Sequence, residues 1–320
     1  VIRIGLLGAS AIAPRAVVEA ARAVPGVEVV AVAARDPARA EAFARANGVP
    51  RVLPSYQALV EDDGVDLVYV GLPNALHVRW SVAARAVGKH VLCEKPLLCN
   101  ASDAGALSEP GPLVAEAMHW RHHPLAARAR ALVAGGAIGA LRSVEAAFCS
   151  PTRRDGDIRT QYALGGGALM DLGCYAISGV LSFAGPSVAA VTRARLVTGW
   201  PDVDVSADVR LSLGAVQGRV LCAMRGSIRR SLVARGDAGT LWVLGPWAPQ
   251  RGHALVLRRG WRLTVERFPS EPTFVHQLRA VRAAIHGEAP VGTGVAEALA
   301  VARVIDDAYR AGGLPLRRST

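Results

Sequence analysis

Lysine is nearly missing from this sequence. Its 37 Lys+Arg residues include only Lys89 and Lys95, and every other basic side chain is arginine. Cysteine is sparse and unpaired in pattern: Cys93, Cys99, Cys149, Cys174 and Cys222 contain no C-x-x-C spacing. An odd count without a framework excludes a disulfide scaffold and fits a reducing, cytoplasmic setting, with most of the thiols acting as small buried hydrophobes. Runs of like charge are absent too. The formal net charge of +11 comes from scattered arginines with no interleaved aromatic pattern, which excludes a nucleic-acid face and leaves a solvated basic surface, modestly attractive to anionic ligands. The start lacks the basic and apolar regions of a signal peptide. One uncharged run, Leu172 to Thr192, is interrupted by Gly173, Ser178, Gly179, Ser182, Gly185 and Pro186. It is too polar and too broken to span a bilayer, and reads as a buried helix ending near Gly185-Pro186.

What remains is an ordinary soluble composition, 51% hydrophobic and 20% charged over 320 residues, enough for about two domains. The first third alternates strand and helix signals. Apolar runs at Ile2–Leu7, Glu28–Ala34, Val65–Leu72, His90–Cys93 and Leu113–Ala117 predict strands. Ile12–Ala23, the segment from Pro37 to about Asn47, and Asn74 to Gly88 predict helices, with Asp36-Pro37 as N-cap and first-turn proline. This alternation means βαβ units and a parallel sheet. After about residue 140 the rhythm changes. A long apolar helix near Ala168–Ala184 precedes close-set strands at Val188–Val197, Ala207–Leu213, Val216–Ala223, Ile228–Ala234, Thr240–Leu244, Ala254–Arg258 and Arg262–Phe268. These predict an open, mainly antiparallel sheet carrying the helix. Helices near Thr273–His286 and Val295–Ala311 close the chain.

The first strand runs into Gly8-Ala9-Ser10-Ala11-Ile12-Ala13. Set against a dinucleotide fingerprint this reads G-x-S-x-x-A: a glycine for the turn, a small residue for close backbone approach to a pyrophosphate, and an alanine for helix–strand packing. The following helix start supplies N–H groups to phosphate.

Four segments together resemble the glucose–fructose oxidoreductase/inositol dehydrogenase (Gfo/Idh/MocA) family. They are GLLGASAIA at the start, Leu72-Pro73-Asn74-Ala75-Leu76-His77, Cys93-Glu94-Lys95-Pro96-Leu97, and Gly165-Gly166-Gly167-Ala168-Leu169-Met170-Asp171-Leu172-Gly173-Cys174-Tyr175. The closing EALAVARVIDDAYRAG resembles the family's last helix. Tyr175 stands as in the branch of glucose–fructose oxidoreductase, dihydrodiol dehydrogenase and sugar 3-ketoreductases. The resemblance implies an α/β chain with a doubly wound Rossmann domain over 1–122, and a substrate-binding and oligomerisation domain over 123–320 whose open sheet forms a homodimer or homotetramer. It also implies reversible hydride transfer between a nicotinamide and a secondary alcohol or ketone on a carbohydrate or cyclic alcohol.

Such chemistry needs a proton at the reacting oxygen. Lys95 offers a compact ammonium with rotatable donors, which arginine does not, and a nearby ammonium favours the charged form of a phenol such as Tyr175. Lys95, Tyr175 and Asp171 are therefore the expected catalytic residues. Asp171 and Tyr175 lie i, i+4 on one helix face, and Asp171 either orients substrate and Lys95 or makes a local structural bond. Arg159 joins Lys95, Asp171 and Tyr175 as a substrate contact, from the segment Arg153-Arg154-Asp155-Gly156-Asp157-Ile158-Arg159 before the GGG loop. The expected cofactor contacts are Gly8, Ser10, Ala11, Ile12, Leu72, Pro73, Asn74, Glu94, Lys95 and Arg121, with Arg35 and Arg39 at the ribose phosphate. NADP(H) is expected over NAD(H), because Ala34 stands where an acid would accept from the ribose 2′-OH, while Arg35 can clamp a phosphate. His77 reads as structural. His119-Trp120-Arg121-His122-His123 lacks supporting ligands, so no metal is expected. Two other readings stay open: a nicotinamide-dependent glycosidase, and a catalytically silent ligand-binding protein on the same fold.

Overall fold

The computed structural model describes residues 1–151, 156–185 and 189–320. Six parallel strands form the first sheet: β1 (Ile2–Leu7), β2 (Val27–Ala33), β3 (Arg51–Val52), β4 (Leu67–Val70), β5 (His90–Cys93) and β6 (Val114–Glu116), in the order β3-β2-β1-β4-β5-β6. This is the doubly wound order in which ligands bind beyond the carboxyl ends of the strands. β4 is buried at every position, as a parallel strand covered by helices on both faces must be. β3, two exposed residues long, has no run of apolar residues to announce it.

The second sheet has eight strands: β7 (Leu141–Cys149), β8 (Ala190–Trp200), β9 (Val203–Leu213), β10 (Val216–Ala223), β11 (Arg229–Gly236), β12 (Thr240–Leu244), β13 (Ala254–Arg259) and β14 (Arg262–Arg267). Their order is β14-β13-β12-β11-β7-β10-β9-β8. Only the β7–β10 pair is parallel, and the rest are antiparallel. β7 is an addition to the sequence expectation, and it sits in the middle of the sheet. Its LRSVEAAFC mixes Arg, Ser, Glu and Ala, which have low β preference, so its strand state comes from β10 and β11 on either side. The helix Pro124–Ala134 is also additional. His123 caps it, its Nδ1 accepting from Leu125 N at 3.2 Å, with Pro124 in the first turn.

The apolar helix after the GGG loop begins as a π-helical turn, Leu169–Gly173, and continues as Cys174–Ala184. The stretch Tyr162–Ala184 is long and apolar enough to cross a membrane, yet 78% of its most apolar window is buried inside the protein. Val180 and Ile177 pack against β9 and β10 residues Val209, Leu211 and Val220. The closing helices pack back on the first sheet, and the last of them also reaches the core of the second. In Thr273–Ile285, Phe274, Val275, Leu278 and Val281 join the Rossmann core of Ile2, Val17 and Ala21. In Val295–Ala311, Ala298 and Ala302 face the first sheet, while Val301, Ile305 and Tyr309 face the second core.

Candidate active site

Three loops leave the carboxyl ends of β1, β4 and β5 and meet the GGG loop and π-helical turn of the second half. At the first, Gly8 has φ +95°, and a Cβ there would sit 2.7 Å from Gly71 O, so only glycine makes the turn. Beyond it, Gly8 N donates to Ala33 O and Ala13 N to Ser10 O, while the N–H groups of Ser10, Ala11 and Ile12 find no backbone acceptor among the described residues. Ser10 Oγ is buried without a hydrogen-bond partner. Free amides and an orphaned hydroxyl at a helix start fit a bound pyrophosphate. Asp36 takes the N-cap place, accepting from Ala38 N at 3.0 Å. Arg35 is exposed, and Arg39 lays its guanidinium on Ala9 O at 3.3 Å, beside the phosphate loop.

The second loop, Leu72-Pro73-Asn74, is held from both sides. Asn74 Nδ2 donates to Gly165 O at 2.9 Å, tying the Rossmann half to the GGG loop. His77, fully buried, lies 2.8 Å from both Leu72 O and Pro96 O. Its ring is a strut between the second and third loops, and burial pushes its pKa down.

At the third loop the Lys95–Pro96 peptide is cis. Lys95 Nζ donates to Asp171 Oδ1 at 2.8 Å and to Asp171 O at 2.9 Å. An ammonium has three N–H groups, so one remains, on a side chain 14% exposed. Asp171 Oδ2 takes Arg159 Nε at 3.1 Å, and Asp157 steadies the same guanidinium at 3.0 Å. Burial disfavours the charge on Lys95, but Asp171 outweighs it and the net pKa lies above the ordinary lysine range. Burial likewise opposes Asp171, and Lys95 with Arg159 turns its shift downward. The pair is therefore ionised throughout neutral pH. Glu94 accepts from Tyr69 Oη at 2.7 Å and from Lys95 N at 3.3 Å, and burial raises its pKa.

Tyr175 differs from expectation in one respect. Lys95 Nζ lies over its ring, 5.2 Å from the centroid, and the hydroxyl faces His119 Nε2 at 3.1 Å. Burial is the dominant influence and raises the phenol pKa, with Lys95 offsetting only part. The ammonium thus does not bring Tyr175 toward neutral pH, because the desolvation of a phenolate enclosed by Phe148, Trp247 and His119 is larger.

Further residues shape the site, and of these Glu116, Asp204 and Arg317 gave no sequence signal. His119 Nδ1 meets Thr273 Oγ1 at 2.7 Å, and burial holds its pKa near about 3, so the imidazole is neutral. Glu116, buried beneath the third loop, accepts from Leu97 N at 3.0 Å, and burial pushes it up to about 7. Asp204 accepts from Leu169 N at 2.7 Å, from Tyr309 Oη at 2.8 Å and from Arg317 Nη2 at 3.1 Å. Arg317 Nε also holds Gly166 O at 2.6 Å. Arg121 is largely buried, and its Nε has no partner among the described residues. His122 meets Thr293 and His123 meets Pro269, so the three histidines of this segment point to separate partners. Arg153, Arg154 and Asp155 lie outside the described residues.

Two family models match the chain, one in each half. Residues 2–110 match the oxidoreductase family with an NAD-binding Rossmann fold, and residues 126–242 match the Gfo/Idh/MocA C-terminal domain. The chain belongs to the Gfo/Idh/MocA oxidoreductase family. As a member it binds NAD(P) and is an oxidoreductase acting on CH–OH groups. Among its relatives in the family, it is 36% identical over 285 residues, 87% of each chain, to the dTDP-3,4-didehydro-2,6-dideoxy-alpha-D-glucose 3-reductase of Streptomyces antibioticus. It is 35% identical over 238 residues, 69% of each chain, to the trans-1,2-dihydrobenzene-1,2-diol dehydrogenase of Oryctolagus cuniculus. A 3-ketoreductase from Actinomadura kijaniata, solved with NADP and TDP-benzene, superposes with a TM-score of 0.87 at 31% identity over 97% of each chain.

Proposed function

We propose that this chain is an NADPH-dependent ketoreductase acting on a ketone of a sugar nucleotide or related sugar. The observation that carries the reading is the protonation imposed at the site. Lys95 is an ammonium pinned by Asp171 with one N–H to spare, and Tyr175 is a neutral phenol. Both acids hold their protons, and the Asp171 carboxylate beside Lys95 has its oxygens taken by Lys95 and Arg159. That arrangement suits delivery of a proton, not removal of one.

A bound nicotinamide supplies the hydride. Gly8, Ser10, Ala11 and Ile12 would hold its pyrophosphate and Arg35 and Arg39 its ribose phosphate, with Leu72, Pro73, Asn74, Glu94, Lys95 and Arg121 bordering the rest. As negative charge grows on the carbonyl oxygen, the third N–H of Lys95 stabilises it and passes its proton to the alkoxide. Lys95 is then a neutral amine facing the Asp171 carboxylate, which draws a replacement proton from water. Arg159, at the rim beside Asp171, and the basic surface favour an anionic substrate over a neutral diol. Cofactor oxidation on a panel of keto sugars, sugar nucleotides and diol-derived ketones tests the reading, with glycoside release followed in parallel. Glycoside release without net cofactor turnover would replace it with a glycosidase, and neither signal with a silent binding protein.

Two outcomes follow. The raised pKa of Lys95 keeps the reductive rate flat through neutral pH, with a fall only in the alkaline range where the ammonium is lost, while alcohol oxidation rises over that range. Rates in both directions against pH check this, and a reductive rate that halves between pH ~7 and ~8 would remove Lys95 as the acid. The cofactor preference rests on Ala34, on Asp36 being engaged as an N-cap, and on Arg35 and Arg39. Titration should show tighter NADPH than NADH, and Arg35→Ala should weaken NADPH about tenfold or more, the value of a charge-assisted hydrogen bond, with NADH unchanged. Equal binding of the two cofactors by the unmodified chain contradicts it.

A further inference from the structure

His119 is held at both ring nitrogens. Nε2 faces Tyr175 Oη at 3.1 Å, and Nδ1 faces Thr273 Oγ1 at 2.7 Å. The ring packs on Phe274 with centroids 4.4 Å apart, and meets the Tyr175 ring edge-on at 5.7 Å. Proton delivery by Lys95 uses neither the histidine nor the threonine.

Counting hydrogens shows what they do. A neutral imidazole has one N–H and one bare nitrogen, and a hydroxyl has one hydrogen to give. His119 is neutral, because burial holds its pKa near about 3. Two assignments fit the heavy atoms. In the first, Nδ1–H donates to Thr273 and Nε2 accepts from Tyr175. In the second, Nε2–H donates to Tyr175 Oη and Nδ1 accepts from Thr273. Thr273 separates them. It is the first residue of its helix, it is fully buried, and Oγ1 has no other partner among the described residues. The first assignment strands its hydrogen in a dry place, which costs the desolvation of a donor. The second strands nothing there. It frees the hydrogen of Tyr175 instead, and the protein around that phenol offers no acceptor: Phe148 is apolar, while Lys95 and the Trp247 indole only donate. The acceptor must arrive with a ligand.

We propose that Thr273 is a positioning residue, which holds the His119 hydrogen on Nε2 so that Tyr175 accepts from His119 and keeps its own O–H for substrate. This rests on the reading of Tyr175 as a substrate contact. With Lys95 at the carbonyl oxygen, the phenol O–H goes to a neighbouring substrate oxygen, such as the hydroxyl beside the ketone on a sugar ring. That bond holds ground state and transition state nearly alike, so it acts on affinity and leaves turnover to Lys95.

Histidine labelled with ¹⁵N reads the tautomer and needs no substrate. The His119 signals, identified by their loss in His119→Phe, should show a protonated Nε2 and a bare Nδ1 in the unmodified chain at neutral pH. Thr273→Val keeps the shape without the hydroxyl and should shift them toward the other tautomer, and Thr273→Ser should restore them. In kinetics Thr273→Val should raise KM about three- to tenfold, the value of a neutral hydrogen bond, with kcat little changed, and Thr273→Ser should match the unmodified chain. In a Tyr175→Phe background Thr273→Val should add nothing, since the hydrogen it redirects is gone. A protonated Nδ1 in the unmodified chain overturns the proposal. Thr273 would then give its hydrogen elsewhere, and Gln277, one turn on, has an unpartnered amide oxygen. A Thr273→Ser variant as impaired as Thr273→Val also overturns it, and would make the threonine a packing residue. The expected tautomer with an unchanged KM in Tyr175→Phe overturns the substrate contact of Tyr175 alone. Failure of the ketoreductase reading itself shows in the substrate panel and leaves the histidine signals as they are.

Discussion

Lys95→Met should lose about 10²–10³ in turnover, the usual cost of removing one donor from a developing oxyanion. Cofactor affinity should stay close to that of the unmodified chain, because the amides and hydroxyl that fit the pyrophosphate belong to the first loop, around Ser10. The prediction turns on how few N–H groups are free. Two of the three on Nζ go to Asp171, and both bonds aim the third. Lys95→Arg should fail nearly as badly, for a guanidinium keeps the charge but does not release its proton at working pH. On the proposed mechanism this is what lysine offers at position 95 in a chain that uses arginine almost everywhere else. Tyr175→Phe separates the two candidate acids. With its hydroxyl committed to His119, its loss should cost less than about tenfold, against the 10²–10⁴ expected of a general acid. If instead Tyr175→Phe is the crippled variant and Lys95→Met retains near-normal turnover, the phenol delivers the proton.

The parts of this molecule that the sequence makes legible share a physical trait: their determinants are local. β1, β4 and β5 are buried runs ended by Gly8, Asn74 and Pro96, and the turn chemistry sits within a few residues of each strand. The i, i+4 spacing of Asp171 and Tyr175 puts both on one stretch of helix, where Lys95 reaches each of them, and the cap at Asp36 follows from the proline after it. The illegible parts are set by distant chain. β7 is a strand because β10 and β11 bond to it on both sides. The partner of Tyr175 lies 56 residues away, on a turn whose histidines suggest a metal site more readily than a hydroxyl contact. The influence of Lys95 on Tyr175 is legible in sign but not in size, since the burial that overrides it comes from Trp247 and Phe148 in another part of the chain.

Arg317→Leu should be the most destabilising single change in the second half, by about 3–5 kcal/mol, the cost of breaking a buried ion pair from one side. Arg317 and Asp204 are both fully buried. The guanidinium also lies 4.2 Å from the Tyr309 ring centroid and 5.1 Å from that of Tyr162. Burial pushes the Asp204 carboxyl up even with Arg317 and the Leu169 N–H pulling it down. Without Arg317 that carboxylate keeps two neutral donors and no charge partner, and Gly166 O loses its donor. The damage reaches the site through the glycines. Gly167 has φ +137°, and a Cβ on it would run into Asp204, so loop and ion pair are packed against each other without slack. The tail around Arg317 also ties the halves together: Asn100 Nδ2 donates to Arg317 O at 2.9 Å, and Thr320 N to Ala75 O at 2.8 Å, next to the Asn74 that holds Gly165. Chemical denaturation should therefore show a lower midpoint together with weaker cofactor binding under native conditions. The double variant Asp204→Asn with Arg317→Leu should lose less than the sum of the single changes, because it no longer strands a charge. An Arg317→Leu midpoint within about 1 kcal/mol of the unmodified chain would show that water or a rearranged loop satisfies Asp204, and that the pair does not hold the GGG loop in place.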